Sequence, residues 1–155
     1  MRDRVRTYFA KPAAAAPYPA PYPSAQVETR SRMRTILVVD DSPTMRRMIM
    51  ASLREIGDVG FDQAASGLEA IERLALAPVD LVVLDLNMPD VHGLEVLRFV
   101  RAHERFGSLP VVVLTTRGDE QSREAAMREG ATRYVTKPFA PAAFAPEIRA
   151  LLDVG

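Results

Sequence analysis

Cysteine and tryptophan are both missing from these 155 residues, and lysine occurs only twice against eighteen arginines. The lack of cysteine excludes disulfides, zinc-thiolate centres and thiol nucleophiles. No apolar stretch approaches the roughly 20 residues needed to span a bilayer, so membrane insertion is not expected. The N-terminal region carries charge, but its longest alanine run is four residues and prolines interrupt the rest. It does not read as a secretory signal, and a cytoplasmic location is the expectation. Aromatic residues make up only 6% of the chain. With no basic stripe to accompany them, nucleic acid binding is not expected either. Formal net charge is zero but unevenly spread: residues 1–32 hold 6 basic and 2 acidic side chains, leaving 14 basic against 18 acidic in residues 33–155.

That charge division coincides with a change in composition. Residues 10–25, AKPAAAAPYPAPYPSA, contain five prolines and no large aliphatic side chain. Such a segment cannot bury a core and favours extended polyproline geometry. Residues 1–32 are therefore expected to be a disordered Pro/Ala-rich extension, either a tether for some partner or a segment without a role. Translation starting at Met33 would omit it. Residues 33–155 are expected to form one domain, long enough to bury a substantial core.

Within that domain three runs, Ile36-Leu37-Val38-Val39, Leu81-Val82-Val83-Leu84 and Val111-Val112-Val113-Leu114, are continuously apolar. Strands of a parallel sheet covered by helices on both faces have this character. A fourth strand is expected at Thr132 to Val135, and a weaker one near Gly60 to Ala64. Between them fall amphipathic helices: from about Pro43, with Met45, Ile49, Leu53 and Ile56 on one face and Gly57 as its stop; from a cap at Ser66 through Leu76; from Val91 to Glu104; from Asp119 to Glu129, closed by Gly130; and a last one through Leu152. Five βα units predict a three-layer α/β sandwich.

Each strong strand ends at a polar residue: Asp40 with Asp41, Asp85, and Thr115, while the fourth runs into Thr136-Lys137-Pro138. Ligands in such sheets sit beyond the strands' carboxyl ends, so three carboxylates, a hydroxyl and an ammonium are expected in one crevice. Three carboxylates without a counterion would repel strongly. The all-oxygen set points to Mg²⁺, which keeps several waters and favours a phosphate partner. Lys137 is the only lysine outside the Pro-rich tail. A compact ammonium, in a chain that otherwise uses arginine, suits a tight site where it and Thr115 hold phosphoryl oxygens. The phosphoryl group is either in transit or covalently attached to an aspartate. Spacing alone leaves open which aspartate is modified, although Asp85 ends the candidate middle strand.

The stretches ILVVDDSPTMRRMI, VVLDLNMPDVHG, VVLTTRG and RYVTKPF, over roughly residues 34–152, resemble the receiver domains of two-component response regulators, and in particular the stand-alone chemotaxis regulators of the CheY type. The resemblance implies a flavodoxin-like fold with strand order 2-1-3-4-5. It implies Asp85 as the phosphoacceptor, with Asp41, Asp85 and the Asn87 main-chain carbonyl as Mg²⁺ ligands and Asp40 acting mainly through a coordinated water. Thr115 and Lys137 would bind the phosphoryl oxygens, Tyr134 would follow the state of Thr115, and Arg117 would tune the lifetime of the modification. The Lys137-Pro138 bond would be cis.

By the same resemblance the chain is expected to be a single-domain phosphoacceptor rather than an enzyme with turnover. It would be phosphorylated by a CheA-like histidine kinase and signal by protein contact through Asp119 to Leu152, with a flagellar motor switch or a phosphatase as target. A relay intermediate or phosphate sink is the alternative. A haloacid-dehalogenase-type phosphohydrolase is a remote one, since it requires Asp-x-Asp where this chain has Asp40-Asp41. An attached output module is not expected. His103-Glu104 is read as a surface pair at a helix end rather than a phosphodonor, and Gly93 and Gly118 as turn residues. Pro146, five residues after Pro141, is expected to kink the last helix or delay its start.

Overall fold

A computed structural model describes residues 32–154; the extension expected over residues 1–32 lies, but for its last residue, outside the described residues. Five strands, β1 Arg34–Val39, β2 Val59–Ala64, β3 Leu81–Leu84, β4 Val111–Thr115 and β5 Arg133–Thr136, alternate with five helices, α1 Pro43–Leu53, α2 Gly67–Leu76, α3 Gly93–Ala102, α4 Glu120–Arg128 and α5 Pro141–Val154. All strand pairs are parallel, in the order β2-β1-β3-β4-β5. This is the flavodoxin-like arrangement that the resemblance implied.

The unbroken apolar runs follow from burial on both faces of the sheet. Ile36, Val38, Leu81, Val83, Val112 and Leu114 pack with Ile49 and Leu53 of α1 and Phe144 and Ile148 of α5. Their neighbours Leu37, Val39, Val82, Leu84, Val111 and Val113 point the other way, onto Leu74 of α2, Val96, Leu97 and Val100 of α3, and Ala126 of α4. Because successive side chains serve opposite cores, polar alternation has no place in these strands. Truncating one of the buried leucines to alanine would cost about 2–5 kcal/mol.

Caps set the starts of the helices. Ser42 accepts from Met45 N at 3.2 Å before α1, and Ser66 accepts from Glu69 N at 3.1 Å before α2. His92 Nδ1 accepts from Leu94 N before α3, and Asp119 accepts from Ser122 N before α4. Several ends differ from the sequence reading. The first helix gives way after Leu53 to a 3₁₀ turn over Arg54–Ile56, and Gly57, at φ 75°, ends it. The third helix spans Gly93–Ala102 rather than Val91 to Glu104, because His92 caps it and His103 opens a second 3₁₀ turn. The fifth strand covers Arg133–Thr136, starting and ending one residue later than expected.

The last helix does not start late. It begins at Pro141, where a missing N–H costs nothing, and the Ala140 carbonyl accepts from Ala143 N at 3.0 Å and Phe144 N at 2.9 Å. The helix is continuous through Pro146, which is exposed. Water can serve the Ala142 carbonyl that Pro146 leaves without its helical donor.

Candidate functional site

Register brings the strand ends together. Val39 pairs with Leu84, Leu84 with Val113 and Thr115 with Thr136, so the residues that follow emerge side by side. Asp85 N donates to the Val39 carbonyl at 3.0 Å, and Lys137 N donates to the Thr115 carbonyl at 2.7 Å. Asp40, Asp85 and Thr115 are the only buried polar or charged residues among those described, at 2%, 5% and 0% exposure. The Lys137-Pro138 peptide is cis, as expected.

Lys137 Nζ lies 2.6 Å from Asp40 Oδ2 and 3.6 Å from Asp85 Oδ2, with its side chain nearly inaccessible. The ammonium is thus the counter-charge of two buried carboxylates. Asp40 Oδ1 accepts from Ser42 N at 2.9 Å, and Asp85 Oδ1 accepts from Asn87 N at 3.2 Å. Burial pushes the Asp85 carboxyl above its usual range despite the Asn87 N–H and the Lys137 charge, with Asp40 adding to the rise and the Thr115 hydroxyl opposing it. Asp41 is the exposed member of the set. Carboxylate oxygens of Asp40, Asp41 and Asp85 lie within 4.8 Å of one another. All-oxygen donors at that separation, with no imidazole or thiolate, fit a hard divalent cation.

On the opposite rim, the Thr115 hydroxyl accepts from Arg117 N at 3.4 Å. The half-buried Tyr134 packs against the core, and its hydroxyl donates to the Arg117 carbonyl. Its phenol is raised by burial and by the Asp119 charge, against Arg117 and Arg123. Asn87 Nδ2 donates to Thr116 Oγ1 at 3.4 Å, bridging the two loops that flank Asp85. The structure thus gathers Asp40, Asp41, Asp85, Asn87, Thr115 and Lys137, with Tyr134 and Arg117 beside them. His103 stands apart, exposed at the end of α3, with Nδ1 accepting from Arg105 N.

Three supporting residues escaped the sequence reading. Gly93 is no turn residue: it opens α3, and a Cβ there would fall 2.6 Å from the Asp85 carbonyl oxygen and 2.7 Å from Leu86 Cα. Asp90 accepts from Gly67 N and Leu68 N, both at 3.2 Å, tying the loop after Asp85 to the start of α2. Arg46 donates to the Asp40 carbonyl at 2.6 Å and to Gln63 Oε1 at 3.0 Å. The strict M-P-D-x-x-G order of the loop was the available signal for the first two. Arg46 had none, as one arginine among eighteen.

This combination of fold and acidic crevice is shared with known proteins. The response regulator receiver domain matches residues 36–149. The chain is 37% identical to the chemotaxis protein CheY1 of Helicobacter pylori, over 76% of its own length and 95% of the relative's. It is 35% identical to the chemotaxis protein CheY homolog of Campylobacter jejuni, over 77% and 93%. Among solved structures it resembles a response regulator of Chloroflexus aurantiacus, with TM-score 0.74 and 31% identity, covering 79% of this chain and 99% of that one. It also resembles the receiver domain of the sensor histidine kinase PA1611 of Pseudomonas aeruginosa, solved with magnesium coordinated in the active-site cleft, with TM-score 0.71 and 27% identity over 77% and 98%. The chain belongs to the response regulator receiver domain family. It is a CheY-like regulator whose output is governed by phosphorylation rather than a classical enzyme. No helix among the described residues is long and apolar enough to cross a membrane.

Proposed function

We propose that Asp85 accepts a phosphoryl group from the phosphohistidine of a CheA-like kinase, in the cytoplasm, and that the modification switches binding of a protein target in chemotaxis. The observation that carries this reading is the placement of a buried carboxylate at the end of the middle strand, with an ammonium and two further carboxylates around it. An oxygen of Asp85 attacks phosphorus, the P–O bond forms as the P–N bond breaks, and the imidazole nitrogen leaves with the electron pair and takes up a proton. Loss of the group is a second displacement at phosphorus, with water as the nucleophile. Water attacks phosphorus, the P–O bond to Asp85 breaks, and the carboxylate and inorganic phosphate remain.

Asp40, Asp41, Asp85 and the Asn87 carbonyl would hold Mg²⁺, with Asp40 acting through water. The cation supplies charge neutralisation at the transferring oxygens. Lys137 transfers its ion pair from the two carboxylates to a phosphoryl oxygen, and Thr115 donates its hydroxyl to another. That pull redirects the Thr115 hydroxyl away from Arg117 N and alters the support of the segment that Tyr134 bonds. The effect reaches the surface formed by α4, β5 and α5, where we place the target contact, a flagellar motor switch or a phosphatase. The chemotaxis relatives support this output over a relay role.

Intact mass after incubation with Mg²⁺ and a small acyl phosphate tests the assignment. One added phosphoryl group is expected, absent in Asp85→Asn. Equal labelling of that variant would sink the assignment.

A further inference from the structure

Of the three clustered carboxylates, Asp41 is exposed, and among the described residues it takes part in no hydrogen bond or ion pair. Asp40 and Asp85 are fixed by Lys137 and by main-chain N–H groups. Where the Asp41 side chain points is therefore set by its backbone, and first by the plane of the Asp40-Asp41 peptide. That plane is held at its carbonyl, which accepts from Arg46 Nη1 at 2.6 Å. The preceding peptide is fixed separately, by Asp40 N donating to the Ala64 carbonyl at 3.1 Å. Arg46 is itself held, because Nε donates to Gln63 Oε1 at 3.0 Å and its own N–H donates to the Ser42 carbonyl at 3.0 Å. Gln63 sits on β2 opposite Val38 of β1.

We propose that Arg46 is a positioning residue for the cation site: braced by Gln63, it locks the Asp40-Asp41 peptide so that the free Asp41 carboxylate faces Asp40 and Asp85. The inference rests on the proposed Mg²⁺ site. A planar fork is what two bonds in divergent directions require, and a lysine ammonium does not replace it. Charge alone predicts the opposite result. A guanidinium beside a cation site repels the cation, so if Arg46 acted only through its charge, removing it would tighten binding. Partners one step removed from metal ligands commonly change affinity about 10–100-fold when lost.

The test is calorimetric titration of Mg²⁺ into the metal-free full chain, with thermal melts in chelator and ¹⁵N shifts of the Asp41 and Ser42 amides as controls on structure. Asp41→Ala is expected to lose most of the binding. Arg46→Ala should bind about tenfold more weakly or worse. Gln63→Leu, which leaves every charge in place, should weaken binding by a smaller factor and move the Asp41 amide shift while the metal-free melt stays cooperative. Wild-type affinity in both Arg46→Ala and Gln63→Leu, or tighter binding in Arg46→Ala, overturns the inference while leaving the cation site standing. A wild-type chain that binds no Mg²⁺ overturns both.

Discussion

The two loops that flank Asp85 are built on different terms. The segment Leu86–His92 after β3 is pinned at several points. Leu86 and Met88 are buried, Gly93 N donates to the Leu86 carbonyl at 3.3 Å, and Asp90 bonds the start of α2. Two glycines allow backbone contact that no side chain would permit: a Cβ at Gly67 would fall 2.6 Å from the Val91 carbonyl oxygen, as one at Gly93 would from that of Asp85. By contrast, residues 116–119 after β4 are all exposed and held by a few bonds, chiefly Arg117 N to the Thr115 hydroxyl and the Tyr134 hydroxyl to the Arg117 carbonyl. Few buried contacts and few hydrogen bonds mean a low local cost of opening. Asp85, the proposed phosphoacceptor, and the Asn87 carbonyl thus sit on the rigid side. The side proposed to respond is the one with least to break.

Breaking the rigid side should have the largest effect. In Gly93→Ala the new methyl meets backbone atoms that cannot yield, so a loss of about 1–3 kcal/mol in chemical denaturation is expected, together with slower labelling of Asp85. The matching change on the responsive side, Gly118→Ala, meets only the Thr136 side chain at 3.3 Å and should leave the denaturation midpoint nearly unchanged. Equal losses in the two variants would erase the distinction between the loops.

Second in size is Lys137→Arg, which should separate modification from response. Its guanidinium keeps the charge but does not fit where an ammonium sits 2.6 Å from Asp40 and 3.6 Å from Asp85. Mass labelling at Asp85 should persist, while the amide shifts that beryllofluoride induces over Asp119 to Leu152 should be much reduced. A full beryllofluoride response would make Lys137 a mere counter-charge.

A smaller effect is expected for metal-free stability in Asp85→Asn. The folded-state carboxyl of Asp85 is raised above 3.8, mainly by burial, so protonation favours the folded state and ionisation opposes it. The proton-linked stabilisation is complete below the unfolded value of 3.8 and is lost as pH rises through the raised folded value. Asparagine has no charge to bury. In chelator, the melting temperature of Asp85→Asn should therefore gain on wild type as pH increases from 4 towards 7, then level off. A gap that narrows over that range would contradict the burial argument.

The smallest change, Tyr134→Phe, removes one hydroxyl and with it the tie to Arg117. A typical net hydrogen bond contributes about 1 kcal/mol, so global stability should fall by no more than that. Amides of residues 116–119 should exchange hydrogen faster, while those of residues 86–92 keep their protection. Faster exchange in both loops would show that they open together.

Much of this molecule was legible from residue order. Doubly buried strands force unbroken apolar runs, and the chain writes three of them, so the sheet and the polar strand ends at Asp40, Asp85 and Thr115 could be read directly. Helix ends were harder, because Leu53 and Ala102 give way to 3₁₀ turns through local geometry that apolar spacing does not encode. The delayed start expected from Pro146 failed for a related reason. The proline's penalty depends on whether water reaches the carbonyl it abandons, and exposure is a property of the folded surface. By itself, the sequence determined which chemical groups the strands deliver and in what order they arrive. Tertiary structure alone decided that Lys137 lies against Asp40, ninety-seven residues away, that Arg46 grips the Asp40 carbonyl, and that Gly93 leaves room for the Asp85 backbone. These are matters of distance and direction between groups remote along the chain, which composition and periodicity do not carry and which only the packing of helices on the sheet brings into being.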